Sequence, residues 1–366
     1  MLNNRMANNR TFSPSLQAKI DTLMSRRPKV KLGDISFDSP LLLAPMSSIC
    51  TAPYRLLMEE LGAGGTVSEL VSCHGINYKN EKTVKMLEIH PREKNIGLQL
   101  FGEDGTAMAE AAKVAQEREP KFIDINMGCP VRKVVSKGGG SALMKDTSKL
   151  GKYFNQMKSA IEVPLTIKIR TGWDDDSINA QEVIHIAKEE GVEFVAIHGR
   201  TRTQAYKGLA NWDLLESIAQ TSPLPIIGNG DLHSWQMTQK RLMATRCQAL
   251  MLGRGPLRNP FIFLESFLKE DDDIQFTPSD YLEVIERFRD YLEEYTDRER
   301  TVLITLRKNI VWMAAGFPNV THFRNAMFQT PDIEETMNVT REYFDAIKDG
   351  HKKIDHNQVF MAGGHG

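Results

Sequence analysis

The chain has 366 residues, 41% of them apolar and 25% charged, and a formal net charge of −1. That is ordinary globular composition, long enough for one large barrel plus a small domain or for two medium domains, with no global field to attract nucleic acid, although local basic patches stay open. Four scattered cysteines, Cys50, Cys73, Cys129 and Cys247, make no CxxC pair, which argues against a disulfide framework or a metal site and for a reducing, cytoplasmic setting. The N-terminus lacks the apolar core of a secretory signal, and no apolar run is long enough to span a membrane.

Residues 1–28 read as an N-terminal extension with one short helix over 16–24. Lys29 to Pro40 reads as a hairpin turning at Gly33-Asp34. Strand candidates then recur at Leu41–Ala44, Thr66–Glu69, Ile96–Leu100, Phe122–Asn126, Leu165–Arg170, Phe194–His198, Pro225–Asn229 and Gln248–Gly253. Between them, stretches such as Thr106–Glu117, Ser148–Ile161 and Asn179–Glu190 carry helical spacing. Eight β/α alternations predict a (β/α)8 TIM barrel over residues 29–265,. A doubly wound sheet is the alternative, but no GxGxxG follows the first strand. The acidic run Asp271–Asp273 reads as a solvated linker. Pro278–Tyr295, Glu299–Ala315, Val320–Phe328 and Asp332–Ile347 read as a small helical C-terminal domain over 275–350, and 351–366 as a fraying tail,.

Polar residues recur at the C-terminal end of each strand: Glu69, Gln99, Asn126, Lys168, Arg170, His198, Asn229 and Arg254. In a barrel these positions converge on the face that carries active sites. Cys129, between Gly128 and Pro130, falls on a loop just past the fourth strand, where a thiol is either a small buried group or a reactive one. Two glycine turns, Gly228-Asn229-Gly230-Asp231 and Gly253-Arg254-Gly255, follow the last two strands and suit a phosphate. Lys168 inside a strand is costly to bury unpaired. It fits either the electron-rich edge of a flavin, with Gln99 at the imide edge, or a Schiff-base role. Gly138-Gly139-Gly140-Ser141 lacks the ending of a P-loop and reads as the end of a mobile loop over Cys129.

Together Ala44-Pro45-Met46, Asp124 to Pro130 (DINMGCP), Lys168 to Trp173 (KIRTGW), Ile197 to Thr201 (IHGRT), Asn229-Gly230-Asp231 and Gly253-Arg254 resemble the tRNA-dihydrouridine synthases, most closely the bacterial B-type branch. The resemblance implies an FMN barrel followed by a helical tRNA-binding domain. In that family NADPH reduces the flavin, hydride passes to C6 of a uracil, and a cysteine, here Cys129, protonates C5. It implies cofactor contacts at Met46, Ser47, Ser48, Gln99, Lys168, His198, Asn229, Gly230, Asp231, Gly253 and Arg254. Asn126 and Arg170 are candidates for the uracil edge. Arg132, Lys133, Lys137, Arg200, Arg202 and Lys207 are candidates for tRNA phosphates at the mouth, and Arg307, Lys308 and Arg324 from the helical domain. No metal is expected, and the chain reads as a monomer. Ser47-Ser48-Ile49-Cys50-Thr51 departs from the family's usual small pair followed by Thr-Asp. The competing enzyme is a flavin barrel acting on a free pyrimidine, as dihydroorotate dehydrogenases do. A barrel that binds RNA without catalysis is the reading of a different class.

Overall fold

The structure is a computed structural model and describes residues 11–352. The expected hairpin forms from β1 (Val30–Leu32) and β2 (Ile35–Phe37), paired antiparallel. Nine further strands follow among the described residues: β3 (Leu41–Leu43), β4 (Thr66–Val67), β5 (Val71–Ser72), β6 (Ile96–Phe101), β7 (Phe122–Met127), β8 (Leu165–Arg170), β9 (Val195–His198), β10 (Ile226–Asn229) and β11 (Ala249–Leu252). Eight of them run in the order β3-β11-β10-β9-β8-β7-β6-β4, and every pairing in that sheet is parallel. Leu43 N–H donates to Gly65 C=O at 2.9 Å and Gly64 N–H to Leu41 C=O at 2.8 Å, bringing β3 back to β4. This is the expected TIM barrel.

The alternation of β8 shows why the sequence folds this way. Leu165, Ile167 and Ile169 pack into the layer between sheet and helices. Thr166, Lys168 and Arg170 therefore take the opposite face, the barrel interior, because side chains alternate across a strand. The interior is closed at its floor by Phe37, Phe122 and Phe194, edge to face with centroids 5.4–6.1 Å apart. The hairpin is thus a plug at the end of the barrel remote from the loops that follow the strands.

The second strand is shorter than Thr66–Glu69. β4 stops at Val67, and Glu69 falls in the break before β5. Its carboxylate is drawn off to accept the N–H of Ser48 at 2.5 Å, and Gln99 N–H donates to the hydroxyl of Ser68. Side-chain partners here replace the sheet ladder.

The outer helices include α1 (Pro14–Met24), α2 (Ala52–Glu60), α3 (Gly105–Gln116), α4 (Leu150–Lys158), α5 (Ala180–Glu189), α6 (Trp212–Thr221) and α7 (Trp235–Ala244). Four more follow the barrel: α8 (Pro278–Tyr295), α9 (Glu299–Ala314), α10 (Val320–Met327) and α11 (Ile333–Ala346). α8 starts where the sequence predicts, at Pro278, and Thr277 before it forms a reciprocal capping box with Asp280,. The four helices share one continuous core with one side of the barrel: Tyr54 and Leu57 of α2 and Phe261 to Leu264 lie in the same cluster as Val284, Phe288, Leu306, Met313 and Phe344.

The short helix expected in the extension forms as α1 and buries Leu16, Ile20 and Leu23 in that shared core. Lys19 pairs with Asp280 at 2.7 Å, and the backbone N–H of Ser13 donates to Glu283. The acidic linker is not merely solvated, because Asp272 accepts both guanidinium nitrogens of Arg26 and the Lys269 N–H. The tail does not fray at Lys352. Its ammonium donates to the carbonyls of Arg258 and Met313 and lies 4.2 Å from the Tyr281 ring centroid. The rest of the expected tail and the first ten residues lie outside the described residues.

Candidate active site

A cavity opens where the strands end. Its wall includes Met46, Ser47, Gln99, Asn126, Cys129, Lys168, Arg170, His198, Asn229, Gly230, Asp231, Gly253 and Arg254. Most of the expected cofactor residues and both uracil-edge candidates therefore line one space.

The strand register explains the convergence. Gln99 lies opposite Asp124, Asp124 opposite Thr166, and Asn126 opposite Lys168. Arg170 and Asn229 both lie opposite His198. Equivalent registers put these side chains in stacked layers inside the barrel.

The lower layer is a continuous hydrogen-bonded chain. Thr166 Oγ1 donates to Asp124 at 2.6 Å, and Gln99 Nε2 donates to the same carboxylate at 2.7 Å. Asn126 Nδ2 then donates to Gln99 Oε1 at 2.9 Å, and Cys129 N–H donates to Asn126 Oδ1 at 3.0 Å. Burial raises the Asp124 carboxyl to about 6, with the Thr166 and Gln99 hydrogen bonds and Lys168 pulling the other way. Gln99 and Asn126 have both ends of their amides engaged, so they hold the loop of Cys129 from beneath.

The same loop is held from above. Cys129 C=O accepts from Ser141 N–H at 3.2 Å and Ser141 Oγ at 2.9 Å, and Gly128 C=O accepts from Arg170 Nε at 2.7 Å. The glycine run ends the loop, and Gly140 opens a 3-10 helix. Cys129 is half-buried at the cavity wall. Burial pushes its thiol upward against the Val131 N–H and Arg170, which favour the thiolate. The thiol is therefore in its protonated form at neutral pH.

Lys168 donates to Asn229 Oδ1 at 3.2 Å, while Asn229 Nδ2 donates to Met251 C=O at 2.7 Å. Burial, with Arg170 adding repulsion, lowers the Lys168 ammonium to about 8. His198 is held well below its usual range by burial and by Arg170, Lys168, Arg200 and Arg254 around it, so it is neutral. Arg200 Nη1 lies 3.3 Å from His198 Nε2. A guanidinium can only donate, so Nε2 accepts and the ring proton sits on Nδ1.

Arg200 is not a surface phosphate contact. It is 2% exposed, paired with Asp231 at 2.8 Å, and bonded to the carbonyls of Lys207 and Gly208. Arg170 is equally committed: besides Gly128 it donates to the carbonyls of Thr201 and Ala205. Arg307 is tied to Thr330. Arg132, Lys133, Lys137, Lys207 and Arg324 are exposed, and Arg202 is half-buried with its guanidinium 4.6 Å from the Trp173 ring centroid. Ser48 lies one residue outside the cavity wall.

Sequence reasoning missed Leu70, Tyr206, Leu232, His233 and Met251, which also line the cavity. Tyr206 sits between Arg170 and Arg254, 5.9 and 5.7 Å from its ring centroid. The signal for it was faint: an aromatic residue in a long loop after the sixth barrel strand.

The donor set suits a flavin mononucleotide. Lys168, Arg170 and Arg254 face a single lining carboxylate, Asp231, leaving an excess of positive charge for a phosphate. Burial works against ionised Asp231, but His233, the Ala210 N–H and Arg200 hold it well below the usual carboxylate range. Gly230, at φ +137°, passes so close to Ala210 that a Cβ would meet its Cβ at 2.5 Å, whereas one on Gly253 would meet nothing nearer than 3.9 Å. The two glycines therefore leave bare backbone at the cavity wall.

A parallel barrel with a half-buried thiol and a cation-rich cavity on its loop face defines a TIM-barrel enzyme. The profile of the Dihydrouridine synthase (Dus) family matches residues 42–348. The chain is 33% identical to the probable tRNA-dihydrouridine synthase of Rickettsia prowazekii over 88% of its own length and 100% of the relative's. It is 33% identical to the tRNA-dihydrouridine synthase B of Pseudomonas aeruginosa over 86% and 96%. Among solved structures, histamine dehydrogenase from Rhizobium sp. 4-9 superposes with a TM-score of 0.53 at 12% identity, over 75% of this chain and 51% of that one, which speaks for the fold alone. The chain belongs to the tRNA-dihydrouridine synthase family and is an oxidoreductase of that family.

Proposed function

We propose that the chain is an FMN-dependent tRNA-dihydrouridine synthase in which Cys129 is the acid that protonates C5 of the uracil. Bound FMN, reduced by NADPH, would supply the hydride to C6. Lys168, which donates to Asn229, would face the ring edge that becomes negative. Arg254, Gly230 and Gly253 would receive the phosphate. Negative charge that builds towards C5 and O4 needs a proton donor, and a protonated thiol on a braced loop meets that need. Arg132, Lys133, Lys137, Arg202 and Lys207 would meet tRNA phosphates at the mouth, and Arg324 from the helices over residues 275–350. The uridine must leave its stack to reach the cavity. A cytoplasmic setting fits this reading, since tRNA is the substrate.

The observation that carries this reading is the hydrogen-bonded chain from Asp124 through Gln99 and Asn126 to the Cys129 N–H. It fixes a thiol at the wall of the same cavity that holds Lys168 and the two glycine turns. In the test, protein reduced anaerobically with NADPH receives unmodified tRNA, and the flavin absorbance is followed. Its return with tRNA, and not with free uridine or orotate, supports the reading. Reoxidation by a small pyrimidine alone favours the free-pyrimidine enzyme. Cys129→Ala should keep flavin and NADPH oxidation while dihydrouridine formation falls by orders of magnitude; unchanged tRNA turnover would remove Cys129 from the acid role.

A further inference from the structure

The loop between β3 and α2 gives the cavity two of its lining residues, Met46 and Ser47. The next residue, Ser48, is left-handed at φ +59°. A side chain disfavours that conformation, so something must hold it. Both ends of the Ser48 backbone are gripped. Its N–H donates to Glu69 Oε1 at 2.5 Å, and its C=O accepts from Lys308 Nζ at 3.1 Å.

The two grips come from different parts of the molecule. Glu69 stands in the break between β4 and β5, within the barrel. Lys308 stands on α9, some 260 residues along the chain from Ser48. Trp312, one helical turn beyond Lys308, lies beneath the ammonium, with 5.2 Å from nitrogen to ring centroid,. Burial raises the Glu69 carboxyl and lowers the Lys308 ammonium, and each charge opposes the other's shift. Neither Lys308 nor Glu69 reaches the cavity wall, so any effect on a bound group must pass through the loop.

We infer that Lys308 and Glu69 are positioning residues that clamp Ser48 in its left-handed turn, so that the helical region completes the cofactor pocket as well as meeting tRNA. The inference rests on the flavin reading above. It assigns to Lys308 a role distinct from a phosphate contact, and it accounts for a serine held where glycine would be at ease.

The test is FMN binding by the full-length apoprotein, read from the quenching of flavin fluorescence, without turnover. Lys308→Met should weaken FMN binding about tenfold, Glu69→Ala should weaken it in the same direction, and Lys308→Arg should restore most of it. In a Ser48→Gly background the loss on Lys308→Met should shrink to less than about threefold, because glycine adopts the turn without the clamp. Equal losses in both backgrounds overturn the clamp. So does unchanged FMN affinity with a raised KM for tRNA, which would make Lys308 a phosphate contact only. Wild-type apoprotein that binds no FMN overturns the flavin reading together with the inference, whereas binding unaffected by either variant overturns the inference alone.

Discussion

Asp124 sets the direction of each hydrogen bond in the chain that ends on the Cys129 N–H. An ionised carboxylate only accepts, so Gln99 must turn its Nε2 towards it and its Oε1 towards Asn126,. Asn126 then presents Oδ1 to the Cys129 N–H. In Asp124→Asn the new amide can present a donor to Gln99, and each amide after it can flip until a donor meets the Cys129 N–H. We expect tRNA turnover to fall about tenfold in kcat with folding intact; an unchanged kcat would show that the chain is not needed. The same carboxyl gives a pH signature. Its folded pKa, raised by burial to about 6, exceeds its unfolded value, so protonation favours the folded state,. Its contribution to stability is full below pH about 4 and lost as pH rises through 6. Activity runs the other way, because a protonated Asp124 can donate. Wild-type turnover should show an acidic limb near pH 6 that Asp124→Asn lacks, measured as kcat against pH.

Among the elements, α1 has the largest unforeseen role. Its apolar stripe, Leu16, Ile20 and Leu23, is fully buried against the barrel and α8. Lys19 at its middle and Arg26 just past its C-terminal end tie it to Asp280 and Asp272. Replacing Leu23, 0% exposed, with Ala removes buried methyl groups and leaves a cavity, costing about 2–5 kcal/mol,. Urea denaturation of Leu23→Ala checks this, and a loss under about 0.5 kcal/mol would mean that α1 is only loosely docked. The break between β4 and β5 makes the complementary point. Thr66 to Glu69 has strand-like composition, but the demands of Ser48 and Gln99 for side-chain partners end the ladder early.

At the scale of the whole molecule, a net charge of −1 offers no global attraction for RNA, so the tRNA binding proposed above would rest on local basic groups such as those at the mouth,. Five residues there, Arg132, Lys133, Lys137, Arg202 and Lys207, are exposed or half-buried. Each phosphate contact should contribute roughly 0.7–0.9 to the slope of log affinity against log salt. The double variant Arg132→Ala with Lys133→Ala should therefore flatten the measured slope by about 1.5. A slope unchanged by both substitutions would place the tRNA elsewhere on the surface.

The barrel was legible in the chain because its signal is local. Alternating β8, the helix starting at Thr277-Pro278 and the residues ending each strand obey short-range rules of pleat, cap and turn. Cys129, Lys168 and the glycine turns, which line one cavity, stand out in the same way, as a loop thiol between Gly and Pro, a lysine within a strand and paired turns after the last two strands. What the tertiary structure alone decided is which partners those residues have. Arg200 looked like a surface cation until the fold paired it with Asp231, and Lys308 like a phosphate contact until it met Ser48. Such pairings join residues far apart in sequence through the closure of the barrel and the docking of α1 and α8 to α11, and hydrophobic spacing carries no record of which distant polar groups that burial brings together.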